Sequence, residues 1–296
     1  MKAFLRTTEC PACPCGNASA SVVHLGDGRE LLRYRQCGLL ARAQIPTEED
    51  LMKQYREEYW TRYHAEQVGP ARDTVYGHAW AWLQRLRPSP GVLVDVGCGG
   101  GAWLAWCQER GWKGIGFDPS PQAVAYARAR GLDAYEWAWP PCPLADATAD
   151  VVTFINVLDH LRDPFQALQE AWRILRPGGL LYIRVPNGPL HLRVMSWAAA
   201  VRLSRLAVFH VYGFSRTAFC YHLPRLGFTV LAIQTAPPTQ RDVCQETGYG
   251  MRLLRKGLKR ADQVLYQVLM WIGLNRLPWG PSLEVMASKA ACDTRH

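Results

Sequence analysis

Val92, Leu93, Val94 and Val96 are aliphatic, three of them β-branched, and predict a fully buried strand ending near Asp95. Similar apolar runs recur near 114–118, 132–136, 150–156, 180–186, 227–234 and 282–288, which gives seven predicted strands. Helical patterns fall between them at 102–110, 121–130, 164–175 and 216–226. Alternation of strand and helix predicts an α/β fold with a parallel sheet covered on both faces. Upstream, a helix is predicted over 46–66, capped by Thr47 with Asp50 at its third position. Tyr55, Tyr59 and Tyr63 share one face of it, either packing on the domain or closing over a ligand. A Trp-bearing helix at Val75–Leu86 stops at Pro88-Ser89-Pro90, where the main domain starts. Near the other end, residues 250–273 are amphipathic. Leu254, Leu258, Ala261, Leu265, Val268 and Ile272 form the apolar stripe, and Arg252, Lys256, Lys259 and Arg260 crowd the polar face.

Composition adds limits. With 296 residues, 49% of them hydrophobic, the chain can bury the core of one large domain with additions. The start, MKAFLRTTECPAC, holds no apolar run of signal-peptide length, and no stretch nears ~20 uninterrupted apolar residues. The expected location is therefore cytoplasmic, and the ten cysteines are expected to be free or metal-bound rather than paired. Net charge is +9. Its placement says more than its size, because residues 190–262 hold eleven Arg/Lys against three Asp/Glu.

Candidate chemistry begins where the first strand of the main domain ends. Gly97, Cys98, Gly99, Gly100 and Gly101 follow at once, and a helical pattern opens at Ala102. This layout turns backbone N–H groups toward a ligand, and a Cβ there would block the approach. Gly97-x-Gly99-x-x-Ala102 also satisfies the dinucleotide fingerprint, so this motif alone leaves a dehydrogenase open. About 20 residues on, Ile115-Gly116-Phe117-Asp118 reads as a strand ending in an acid suited to ribose hydroxyls.

Four segments together narrow the choice: DVGCGGG at 95–101, GFDPS at 116–120, DVVTFINVLDHLRDP at 150–164 and LRPGGLLYIRVPN at 175–187. In this order they resemble the motifs of the class I S-adenosylmethionine (SAM)-dependent methyltransferases, with Asp159 where that family has Glu. The likeness covers roughly 91–235, and a dehydrogenase is not expected to carry the last two segments. It implies a Rossmann-like sheet of order 3-2-1-4-5-7-6 with strand 7 antiparallel. It also implies SAM held by the turn of Gly97, Cys98, Gly99 and Gly101, with Asp95 anchoring that loop. Asp118 would take the ribose and Pro119 would lie against the adenine. The loop 137–146 departs from the pattern, with Trp137-Ala138-Trp139-Pro140-Pro141 where relatives often place an acid. Either a backbone amide, as at Ala138, or a stacked tryptophan, as Trp139, would serve the adenine there. Asn156 ends the fourth strand beside the expected methyl position, unless it is only a turn-forming residue. His160 lies just beyond, where it is either a structural histidine or a general base for a hydroxyl. His210 and Tyr212, in HVYGFS, are similar to the family's acceptor-side loop.

Three regions follow: 1–45, a Cys-bearing module; 46–90, a helical linker or cap; and 91–296, the main domain with helical insertions at 190–215 and 240–280. Cys10-Pro-Ala-Cys13, Cys15 and Cys37-Gly38 resemble a small zinc-ribbon module preceding many such methyltransferases. Tyr34 stands where a third cysteine is expected, so Cys15 or His24 would complete a zinc site, or the ribbon is metal-free. The expected reaction is methylation of a small-molecule or metabolite-linked acceptor (sugar, lipid or natural-product-like), with oxygen favoured. An RNA methyltransferase using the Cys module and basic surface is one alternative. A non-catalytic SAM- or nucleotide-binding subunit is another. NVLD stands where amino-methylating nucleic-acid enzymes carry [DNS]PP[YF], which argues against a nucleic-acid partner. The basic insertions are expected to cap the carboxyl edge of the sheet, to favour a nucleotide- or lipid-linked acceptor, and to touch the inner membrane face peripherally.

Overall fold

A computed structural model describes residues 20–25, 29–61, 64, 68, 72–200, 211–239, 249–272 and 280–290. Among these, the strands form one sheet of seven and one of four. The larger contains β4 (Val92–Val96), β5 (Lys113–Asp118), β6 (Ala134–Glu136), β7 (Ala149–Ile155), β8 (Leu175–Pro186), β10 (Phe228–Thr235) and β11 (Ser282–Lys289). Their order is β6-β5-β4-β7-β8-β11-β10, and β11 runs antiparallel to both neighbours. This is the order and the single reversal that the motifs imply.

Apolar runs without alternation make such strands because both faces are covered. In β7 all seven residues are buried; Val152 and Phe154 belong to one core layer, Val151 and Ile155 to the other. Successive side chains point to opposite faces, so one strand serves two cores. On one face pack α2 (Asp73–Leu86) and α3 (Ala102–Gln108), contributing Leu83, Trp103 and Leu104. On the other packs α5 (Pro164–Ile174), which buries Phe165, Leu168, Ala171 and Ile174 at helical spacing. Asp163 caps it, accepting from the Phe165 and Gln166 amides at 3.2 and 2.9 Å. Helix α4 (Pro121–Ala129) joins β5 to β6, capped by Ser120. Beyond β8 come α6 (Gly188–Ala200) and α7 (Arg216–Arg225), and the 23-residue α8 (Tyr249–Trp271) precedes β11.

The smaller sheet has the order β1 (Ala20–His24), β2 (Glu30–Tyr34), β3 (Leu40–Arg42), β9 (Tyr212–Gly213). β1 and β2 pair antiparallel, with Ala20 opposite Tyr34 and His24 opposite Glu30. β9 comes from the long connection after α6, pairing Tyr212 with Ala41 and Gly213 with Leu40. Tyr34, Cys37 and Leu39 share a core with Phe154 and Leu181 of the main sheet, so residue 45 marks a change of sheet within one core. Where the connection leaves β8, the Gly188 amide donates to the Phe214 carbonyl at 2.8 Å. A Cβ on Gly188 would sit 2.6 Å from the Gly213 backbone, so only glycine fits.

One predicted helix is corrected. Thr47 does cap α1 (Glu48–Lys53), accepting from the Asp50 amide at 3.1 Å, but Gln54–Tyr59 then winds as a π-helical turn. The wider turn brings Tyr55 and Tyr59 edge to face at 5.4 Å. Tyr63 lies outside the described residues.

Candidate functional site

The turn after β4 is built from three glycines with positive φ: Gly97 (70°), Gly99 (53°) and Gly101 (76°). At Gly97 a Cβ would also stand 2.3 Å from Val157, so the position admits no other residue. The Gly97 and Cys98 amides both donate to the Phe117 carbonyl, at 2.7 and 3.1 Å, folding the turn back over β5. Asp118 then fixes it from the side: one carboxylate oxygen accepts from the Gly99 amide and the other from Ser120, each at 2.9 Å.

A cleft opens over this turn. Its floor is Val96, Gly97, Cys98 and Gly99; Phe117, Asp118, Pro119 and the run Trp137, Ala138, Trp139 form one wall. The opposite wall is Ile155, Asn156, Val157, His160 and Leu161, and Met52, Tyr55, Tyr59, Arg72 and Tyr76 cover it. Tyr55 and Tyr59 therefore line the cleft as well as packing on each other. Trp139 is fixed by its indole N–H on the Ala167 carbonyl at 3.2 Å, with its ring against Phe117 and Phe154. Trp137 is more exposed, and its amide donates to the Asp118 carbonyl at 3.1 Å.

Electrostatics at this edge are dominated by burial. Asp118 is 7% exposed, and burial pushes its carboxyl up to about 6 against the two amides that favour the ionised form. Asp95 lies beneath the turn rather than on the cleft wall; Thr153 Oγ1 donates to it at 2.6 Å, and burial still pushes it to about 7. Gly101 is likewise off the wall, at the head of α3. Asn156 holds a left-handed φ of 59°. Its amide donates to the Arg184 carbonyl at 2.8 Å, and its side-chain oxygen accepts from the Arg184 guanidinium. The strained backbone is thus held by a buried cation.

His160 is half-buried on the cleft wall, 6.5 Å ring to ring from Tyr55. Burial, with Arg42 and Arg72 nearby, pushes its pKa down to about 4, so the imidazole is neutral at physiological pH. Its Nε2 lies 3.8 Å from the Asp159 carboxylate, itself pushed to about 7 by burial. Asp159 also anchors the smaller sheet, since its carbonyl accepts from the Val211 and Tyr212 amides, each at 3.0 Å.

The structure gathers Gly97, Cys98, Gly99, Asp118, Pro119, Ala138, Trp139, Asn156 and His160 on one cleft. Tyr212 is not on it: it is core-buried, with its hydroxyl on the Arg162 carbonyl. His210, Cys10, Cys13 and Cys15 lie outside the described residues. Cys37 is buried in the apolar core, and His24 pairs with Glu30 at 3.1 Å. Among the described residues, no three of His, Cys, Asp and Glu come together to hold a metal ion. Sequence reasoning missed Arg72 and Arg184. An arginine inside the apolar run of β8 was a usable signal for Arg184; nothing local marked Arg72.

Comparison with known proteins agrees with this geometry. Residues 72–233 match the model of a family described as a methyltransferase domain. A "probable S-adenosylmethionine-dependent methyltransferase" of Mycolicibacterium smegmatis is 31% identical over 171 residues, covering 52% of this chain and 61% of that protein. A protein of the same description from Mycobacterium tuberculosis is 31% identical over 190 residues, covering 57% and 61%. The chain thus spans about 61% of the length of these relatives. Among solved structures, a chain of the complex between the Haloferax volcanii Trm112 methyltransferase activator and a methyltransferase superposes with a TM-score of 0.57. That match has 21% identity over 80% of this chain and 97% of the other. Geranyl diphosphate C-methyltransferase from Streptomyces coelicolor A3(2) gives 0.51 at 15% identity, over 72% and 80%. At such identities the likeness is one of fold.

Proposed function

The chain belongs to the methyltransferase domain family, and on that premise we propose that it binds SAM in the cleft over Gly97–Gly99 and methylates a small-molecule or metabolite-linked acceptor. The observation that carries the reading is the meeting of an acid, a glycine turn, an aromatic wall and a cation in one cleft. Asp118 suits the two ribose hydroxyls, the turn lets the methionine part approach backbone, and Phe117 and Trp139 offer apolar faces to adenine. Arg72 supplies the positive charge that a free carboxylate needs.

Bound SAM supplies a methyl group already activated on a sulfonium, so the protein's task is alignment and proton removal. Asn156, stiffened by Arg184, shapes the wall where β7 ends. His160 is neutral and can accept a hydroxyl proton, with the Asp159 carboxyl group 3.8 Å from its Nε2. This pairing supports an oxygen acceptor. Isothermal titration with SAM tests the core of the proposal; no binding at ~100 µM overturns it. A metabolite screen with labelled SAM then identifies the acceptor.

A further inference from the structure

Helix α8 carries two apolar surfaces, of which only one is used. Leu269 is 4% exposed and roots the helix on the body. Val264, Leu265, Val268, Trp271 and Ile272 recur at three- and four-residue spacing on another face, where their exposure runs from 40% to 88%. Five large apolar side chains open to water on one helix are far more than scattered surface hydrophobics. The same helix holds Arg252, Arg255, Lys256, Lys259 and Arg260 against a single acid, Asp262. No helix among the described residues is long and apolar enough to cross a membrane.

We propose that this face of α8 docks the protein on an anionic lipid surface, with the helix lying in the plane of the interface. Trp271, the most exposed of the set, is the side chain best suited to the boundary between headgroups and acyl chains. Charge selects this occupant over a second copy of the chain. Five cations against one acid on this helix complement an anionic leaflet, whereas a second copy of the chain would bring the same excess of positive charge. Each cation brought to such a leaflet strengthens partitioning about fivefold, which gives a reversible, salt-sensitive attachment. The inference is independent of the methyl-transfer reading, since it rests on the helix alone.

The test is co-sedimentation of the full chain with vesicles of phosphatidylcholine, with and without phosphatidylglycerol as about one third of the lipid. The expected result is capture by the phosphatidylglycerol vesicles, falling at least tenfold on pure phosphatidylcholine or in high salt. Combining Val264→Ser, Leu265→Gln, Val268→Ser and Trp271→Gln should lower capture at least tenfold with SAM affinity and melting temperature unchanged. If the combined variant melts early, Trp271→Gln alone provides the same comparison with a several-fold loss expected. Wild-type protein left in the supernatant with phosphatidylglycerol vesicles overturns the proposal. So does a folded variant captured as well as wild type. Light scattering that shows a dimer dissolved by the same substitutions, with no vesicle capture, assigns the face to a second copy instead.

Discussion

Strand β7 has a buried acid near each of its ends, and the two are treated in opposite ways. At the entry, Asp150 accepts from the Val92 amide at 2.8 Å, from Arg87 at 2.6 Å and from Arg176 at 2.7 Å. Burial alone would raise its pKa; these donors hold it below the usual carboxylate range instead. Past the exit, Asp159 is 1% exposed, and neither carboxylate oxygen has a hydrogen-bond partner among the described residues. Burial there outweighs the nearby Arg184 charge and lifts the group to about 7. Asp95 and Asp118 at the same edge rise to about 7 and about 6. The amino edge of the sheet satisfies its charge and gains rigidity. The carboxyl edge holds charge against its own stability, which is what a binding and proton-handling site requires.

The most damaging change at the carboxyl edge should be His160→Ala. Loss of a general base lowers the turnover number about 100-fold or more, with SAM affinity unmoved. An unchanged rate removes His160 from the chemistry. Asp118→Ala comes next, and titration should show SAM affinity reduced at least tenfold through two lost charge-assisted hydrogen bonds. At the amino edge Asp150→Ala strands two guanidinium groups and an amide; denaturant melts should show a loss of about 2 kcal/mol with SAM binding intact. The direct contrast is Asp159→Asn. It removes an ill-satisfied charge and should leave the protein as stable or, by on the order of 1 kcal/mol, more stable at pH 8, while methyl transfer slows. If Asp159→Asn destabilises as much as Asp150→Ala, the two edges do not differ as argued.

The smallest effect is on pH dependence. Asp95, Asp118 and Asp159 have folded pKa values above the ordinary 3.8, so the folded chain binds the extra protons and their contribution is lost as pH rises from about 4 to about 7. Asp150 works the other way, contributing above its unfolded pKa and failing as pH falls through its lowered folded value. His160, pushed down to about 4, also favours the fold above 6.5 and opposes it as pH drops. Comparing stability curves of wild type, Asp150→Ala and Asp159→Asn across this range separates the contributions. SAM affinity should itself decline below about pH 6 as Asp118 takes up a proton.

Much of this edge could be read from the chain alone, because strand β4, its glycine turn and the acid ending β5 are local patterns with local causes. The buried runs fixed where strands fall, and the motifs fixed their order. The π-helical turn at Gln54–Tyr59 has no such signature, since the residues that widen a helix are those that fill one. β9 has only two residues, too few for any periodicity, and its pairing with β3 spans most of the chain. Arg72 and Arg184 draw their roles from neighbours that are remote in sequence. Periodicity over 250–273 identified an amphipathic helix, but which apolar positions stay in water depends on the rest of the body.

The contact between Gly188 and Gly213 has a consequence for how this protein can be altered. The chain leaves the main sheet after β8 and comes back to the same point at Gly213 in the smaller sheet, so everything between is an excursion whose ends already touch. Closing a longer excursion costs only about 0.6 kcal/mol per doubling of length. Changes of length between those glycines should therefore cost little, provided that Met195 and Tyr212 keep their core positions and Val211 keeps its bond to Asp159. That makes the doorway a natural place to alter the chain while the cleft residues stay untouched.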